Sequence, residues 1–132
     1  MELEVAAKDG QGQRKVWGFS GDVGRYDVAI LQDPQPFQEP VDALLLESTY
    51  GDRTHSTENP ERQLREIAER VFERGGVLIM PSFALGRTQE VLYHLAALVR
   101  AGSLRPNQIF LDSPMAIDAT TLYAQFQAEH DD

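Results

Sequence analysis

Between Asn59 and Phe126, three segments with helical spacing alternate with short apolar runs, and few folds accommodate that order. Asn59-Pro60 has the form of a helix start, with Asn as the cap and Pro at the first helical position. Leu64, Ile67, Ala68, Val71 and Phe72 then recur at the spacing of one helical face, and Gly75-Gly76 closes the segment. Val77 to Met80 reads as a strand stopped by Pro81. Val91, Leu92, Leu95 and Val99 mark a second helical face, and Ile109 to Leu111 a further short strand. Pro114 opens a last helix whose face carries Ile117, Thr121, Leu122 and Phe126. The spacing predicts helices over 60–74, 87–100 and 116–127 and strands over 77–80 and 109–111. Such alternation argues for a parallel sheet flanked by helices.

The texture before Tyr50 is different. Glu2 to Ala6 alternates polar and apolar residues, with Leu3 and Val5 on one face. Lys8-Asp9-Gly10-Gln11-Gly12 reads as a turn and Lys15 to Phe19 as the returning strand of a hairpin. A Pro- and Gln-rich loop, Gln32 to Pro40, leads into Ala43-Leu44-Leu45-Leu46. That run, ending abruptly at Glu47, predicts a strand over 43–46 covered on both faces. The fold class is therefore α/β, divided near Tyr50 into residues 1–50 and 51–132.

Composition removes several function classes. The net charge is −9, and both parts are acidic, so there is no basic arm for a phosphate backbone. An acidic chain still suits a nuclease whose metal ions supply the local positive charge. With no cysteine, disulfides and thiolate zinc sites are excluded. No apolar run approaches the roughly 18 residues of a membrane span. The first residues lack the basic and apolar regions of a signal peptide, so the expected compartment is the cytoplasm and no membrane is an expected partner.

Four places can carry chemistry. Ser20-Gly21-Asp22 sets a carboxylate on a tight turn after a strand, where its two oxygens can bridge two metal ions. A turn aspartate satisfying local donors is the competing reading. Glu47 ends a buried-looking strand, where ligands bind in open α/β sheets, and partial burial there would raise its pKa and suit it to proton handling. It competes with a polar residue simply leaving the core. Pro81 to Glu90 is a strand-loop-helix junction whose free N–H groups favour anions, with Ser82 and Arg87 as added phosphate contacts. It lacks the Gly-Lys-Ser/Thr of a Walker A loop, and a plain capped junction competes with it. Asp112 or Ser113 reads as a helix cap ahead of a catalytic group. His55, His94 and His130 share no metal-ligand spacing, and Arg53, beside His55, is a further substrate-binding candidate.

The order of these motifs resembles a known family. Phe19-Ser20-Gly21-Asp22-Val23-Gly24-Arg25, Leu45-Leu46-Glu47-Ser48-Thr49-Tyr50-Gly51-Asp52-Arg53, Pro81 to Glu90 and Leu111-Asp112-Ser113-Pro114-Met115-Ala116 follow one another as in the β-CASP nucleases of the metallo-β-lactamase fold. The resemblance covers nearly the whole chain. Its Glu-Ser-Thr-Tyr-Gly wording is nearer the pre-mRNA cleavage branch and its archaeal and bacterial relatives than the DNA-repair or ribonuclease J branches. It implies that Asp22 bridges two zinc ions, and that Glu47 pairs with a histidine that protonates the leaving group. RNA is the implied partner, and a homodimer of the full-length protein is an accompanying expectation. Endonuclease and exonuclease modes both stay open.

The family's His-x-His-x-Asp-His metal motif and its later histidines are absent from this sequence. By resemblance, residues 1–50 close the first metallo-β-lactamase segment, of αββα architecture, and residues 51–132 open the inserted β-CASP domain. The expected activity is zinc-dependent hydrolysis of RNA phosphodiesters, with this chain inactive alone. A catalytically inactive scaffold subunit and an unrelated α/β phosphate-binding module are the alternatives.

Overall fold

The computed structural model describes residues 3–8, 10–38, 40–54, 56–106 and 108–130. Asp9 of the expected turn and His55 lie outside the described residues, as do the side-chain faces of Leu3 and Val5. Two compact units form, Met1–Val28 with Gln32–His55 and Ala29–Leu31 with Ser56–Asp132.

The first unit is built on the expected hairpin. β1 (Leu3–Lys8) pairs antiparallel with β2 (Arg14–Phe19), from Leu3 opposite Phe19 to Lys8 opposite Arg14. Gly12, at φ 79°, takes the left-handed conformation that the turn requires. β3 (Ala43–Leu45) adds on the other side of β2, parallel to it, with Trp17 opposite Ala43 and Phe19 opposite Leu45. Gly18 lies buried in β2, where a Cβ would stand 3.0 Å from the Phe37 ring and 3.2 Å from Val41 Cγ1. The loop before β3 therefore crosses the sheet at the one strand position without a side chain.

Asp42 fixes where β3 begins. Its N–H donates to Val16 O at 2.8 Å, and its Oδ2 accepts the Val16 N–H at 2.9 Å. Its Oδ1 accepts from Lys15 Nζ at 3.0 Å. The expected cover on both faces of this strand is not found. Leu44, Leu45 and Leu46 are all about half exposed or more, and the strand stops at Leu45. The apolar run marks a need for cover, but the loop of this unit packs at Gly18 instead.

The second unit is helical. α1 (Pro60–Phe72) starts as the sequence predicts, with Asn59 Oδ1 accepting the Arg62 N–H at 3.0 Å and Pro60 in the first turn. Gly75, at φ 68°, follows its end. α2 (Arg87–Arg100) matches its expected range. α3 (Pro114–Gln125) begins two residues early, because Ser113 Oγ accepts the Ala116 N–H and makes the cap. A short 3₁₀ turn, Gln127–Glu129, follows, and Leu31 bridges to His130. Ala68, Leu95, Leu98 and Leu104 form the buried core, with Leu64, Leu78, Met80 and Val91 packed on it.

Three expectations fail here. Residues 77–80 and 109–111 are not strands; no ladder includes them among the described residues. Leu78 and Met80 pack on the core while Val77 and Ile79 point outward, so the period-two pattern is present without a neighbouring strand to bond. The parallel sheet expected after Tyr50 is thus absent among the described residues, and the parallel pairing of the chain is β2 with β3. The third concerns α3, whose Ile117, Leu122 and Phe126 are exposed, while Ala116 and Ala119 are buried. The small residues of α3 are its buried ones, and Thr120 next to Ala119 is bonded by Gln89 of α2. The chain remains mixed α/β, and none of its described helices is long and apolar enough to cross a membrane.

Candidate functional site

The ends of β2 and β3 lie side by side because the two strands are parallel, so the turns that follow them meet. Ser20 follows β2 and is buried. Its N–H donates to Leu45 O at 3.0 Å, which carries the pairing one step past the strand. Its hydroxyl accepts the Glu47 N–H at 3.0 Å and donates to Gly21 O at 2.7 Å. Two motifs separated by about half the first unit are thereby joined through one side chain. Gly21 takes φ 57°, the left-handed conformation that turns the chain sharply into Asp22. Asp22 is exposed on this turn, and no donor among the described residues bonds its carboxylate.

Glu47 is half-buried, and its carboxylate folds back onto its own turn. Oε2 accepts the Thr49 N–H at 2.8 Å. This bond and the Thr49 hydroxyl hold the carboxyl below its ordinary pKa against the opposing effect of burial, with a lesser contribution from the Val23 N–H. The expectation of a raised pKa is therefore corrected, because hydrogen bonds to the charged form outweigh desolvation. The Glu47 carboxylate is thus set as a hydrogen-bond acceptor on its own turn.

Arg53, in the same unit, is exposed and pairs loosely with Asp52 at 3.6 Å. Ser82 and Arg87 belong to the second unit. Ser82 and Arg87 are exposed to solvent; Ser82 Oγ approaches Met80 O at 3.4 Å, and Arg87 pairs with Glu90 at 3.0 Å. The junction between them differs from the expected anion cradle. Arg87 N–H donates to Leu85 O and Thr88 N–H to Phe83 O, so two N–H groups of the first turn already have loop acceptors. Gly86, at φ 76°, makes that tight return and leaves the helix without a side-chain cap. Thr88 Oγ1 adds a second bond to Phe83 O at 2.7 Å. Gln89 Nε2 donates to Ala84 O at 3.1 Å and to Thr120 Oγ1 at 3.0 Å, tying loop, α2 and α3 together.

Asp112 is exposed at the cap that Ser113 makes. His94 meets Glu61 at 3.3 Å between α1 and α2, and His130 lies beside Tyr123; neither joins a cluster of ligands. A protein zinc site takes three or four ligands. Among the described residues no group of three His, Cys, Asp or Glu stands close enough to hold a metal. Asp22 alone does not make a zinc site, and the two zinc ions implied by the resemblance are expected only in the complete protein, with Asp22 as the one ligand from this chain. Sequence reasoning passed over Ser20, Gln89 and Asp42. Ser20 lay inside a motif and carried no signal of its link to Glu47, which depends on the parallel register.

Residues 88–132 match the family model for the Beta-Casp domain. The chain belongs to the β-CASP family. The match begins inside α2 and runs to the chain's last residue. Among curated β-CASP relatives, a ribonuclease of Thermus thermophilus is 38% identical over 115 residues, 86% of this chain and 26% of that protein. An RNase J-like protein of Methanocaldococcus jannaschii is 34% identical over 111 residues, 82% of this chain and 26% of that protein. The endoribonuclease YSH1 of Kluyveromyces lactis is 36% identical over 75 residues, 56% of this chain and 10% of that protein. The chain thus spans about a quarter or less of the length of these relatives. No solved structure matches the chain significantly.

Proposed function

We propose that this chain is an internal segment of a metal-dependent β-CASP ribonuclease that hydrolyses RNA phosphodiesters. Residues 1–50 close its metallo-β-lactamase segment, and residues 51–132 open its β-CASP domain. The observation that carries the reading is the bond between Ser20 and Glu47, which brings together the two turns that resemble the family's metal and acid-base motifs. Relatives named as ribonucleases, matching along most of this chain, support RNA as the substrate class.

In this reading the zinc histidines come from outside the chain, and Asp22 is its one contribution to the metal centre. Glu47 acts through its charge. A carboxylate already fixed by Thr49 orients a histidine supplied elsewhere and stabilises it in the protonated form. Arg53, Ser82 and Arg87, all exposed, contact phosphates of the RNA strand.

The test is cleavage of labelled RNA by the full-length protein. Asp22→Ala and Asp22→Asn should each lose most activity while keeping the fold, because the amide has the shape but not the charge of the ligand. The isolated chain should retain no zinc after dialysis and cut no RNA, since one carboxylate cannot hold the ion. Near-normal turnover by either variant would remove Asp22 from the site, and cleavage by the isolated chain would refute the segment reading.

A further inference from the structure

We propose that Ser20 is the positioning residue that holds Glu47 against the Asp22 turn. This rests on the reading of Asp22 and Glu47 given above. The hydroxyl of Ser20 is buried and doubly used, accepting from the main chain of one motif and donating to the main chain of the other. Its own N–H adds a third bond, to Leu45 O just before Glu47. Ser20 thus fixes the chain two residues before Asp22, and its contacts reach Glu47 and, just before it, Leu45. Asp22 itself lies exposed, and no donor among the described residues bonds its carboxylate. A buried donor or acceptor left without its partner is costly, so the geometry is held by a group that cannot easily let go.

Ser20→Ala removes the acceptor at almost constant shape, and Ser20→Thr keeps the hydroxyl. In the full-length protein, Ser20→Ala should speed hydrogen exchange at the Glu47 amide about tenfold, with exchange at Leu95 and Leu98 unchanged. RNA cleavage should lose kcat about tenfold or more with KM nearly kept, because the strand's phosphate contacts are untouched. Ser20→Thr should recover both. Unchanged exchange at Glu47, or unchanged kcat, in the Ala variant overturns the proposal. A parent protein that cuts no RNA, while Ser20→Ala still frees the Glu47 amide, upholds the clasp and overturns the nuclease reading instead.

Discussion

Asp42 and Glu47 both accept backbone N–H bonds, and each is held below its ordinary pKa, Asp42 mainly by the Val16 N–H and then by Lys15. The folded chain thus binds these protons less readily than the unfolded chain does. Their contribution to stability is present above the ordinary carboxylate pKa and is lost as pH falls through the lowered one. Asp42→Asn should leave a shallower loss of urea resistance between neutral pH and about pH 3, since one proton-linked group is gone. Unfolding midpoints across that range would check it; an unchanged slope would mean the Asp42 bonds persist in the unfolded chain. Asp42 is exposed, so its effect sits in the slope and not in a large change at neutral pH. The same physics explains why the sequence suggested a raised pKa for Glu47 where the structure lowers it. A strand-end carboxylate looks buried from its neighbours, yet the donors that lower its pKa belong chiefly to Thr49 in its own turn.

Among the elements, those with local start and stop signals were legible. α1 runs from the Asn59 cap to the Gly75 turn, as its residues foretell, and Asn59→Ala should cost about 1 kcal/mol. Asn59→Asp should keep most of it, and denaturant unfolding of the two variants would separate cap from context. The hairpin was equally readable, because alternation and a Gly-bearing turn are contained in a short stretch. What local signals do not carry is the partner. The buried face of α3 is marked by Ala116 and Ala119 and by the Gln89 bond to Thr120, while the larger apolar residues suggested another face. At the site, the residue types were visible in Asp22 and Glu47. Their meeting through Ser20 was not, since it depends on β2 and β3 lying parallel.

At the scale of the molecule, candidate residues are divided between two units: Asp22, Glu47 and Arg53 in the first, Ser82 and Arg87 in the second. Only the second overlaps the matched Beta-Casp region, which covers α3 and most of α2. That unit also carries the extended segment from Val77 to Met80, which has core contacts on one side and two aliphatic side chains more than three-quarters exposed on the other. Uncharged, rich in β-branched residues and outside any ladder, it has the makings of a sticky edge. Solutions of this chain should therefore scatter light increasingly with concentration and form mixed oligomers, not one defined species. Ile79→Lys places a charge on the outward side and should raise the soluble limit without moving the unfolding midpoint. Leu78→Lys, aimed at the core, should unfold the unit instead. If Ile79→Lys precipitates at the same concentration as the parent, aggregation has another seed, and the storage behaviour of the chain is governed by surfaces other than this edge.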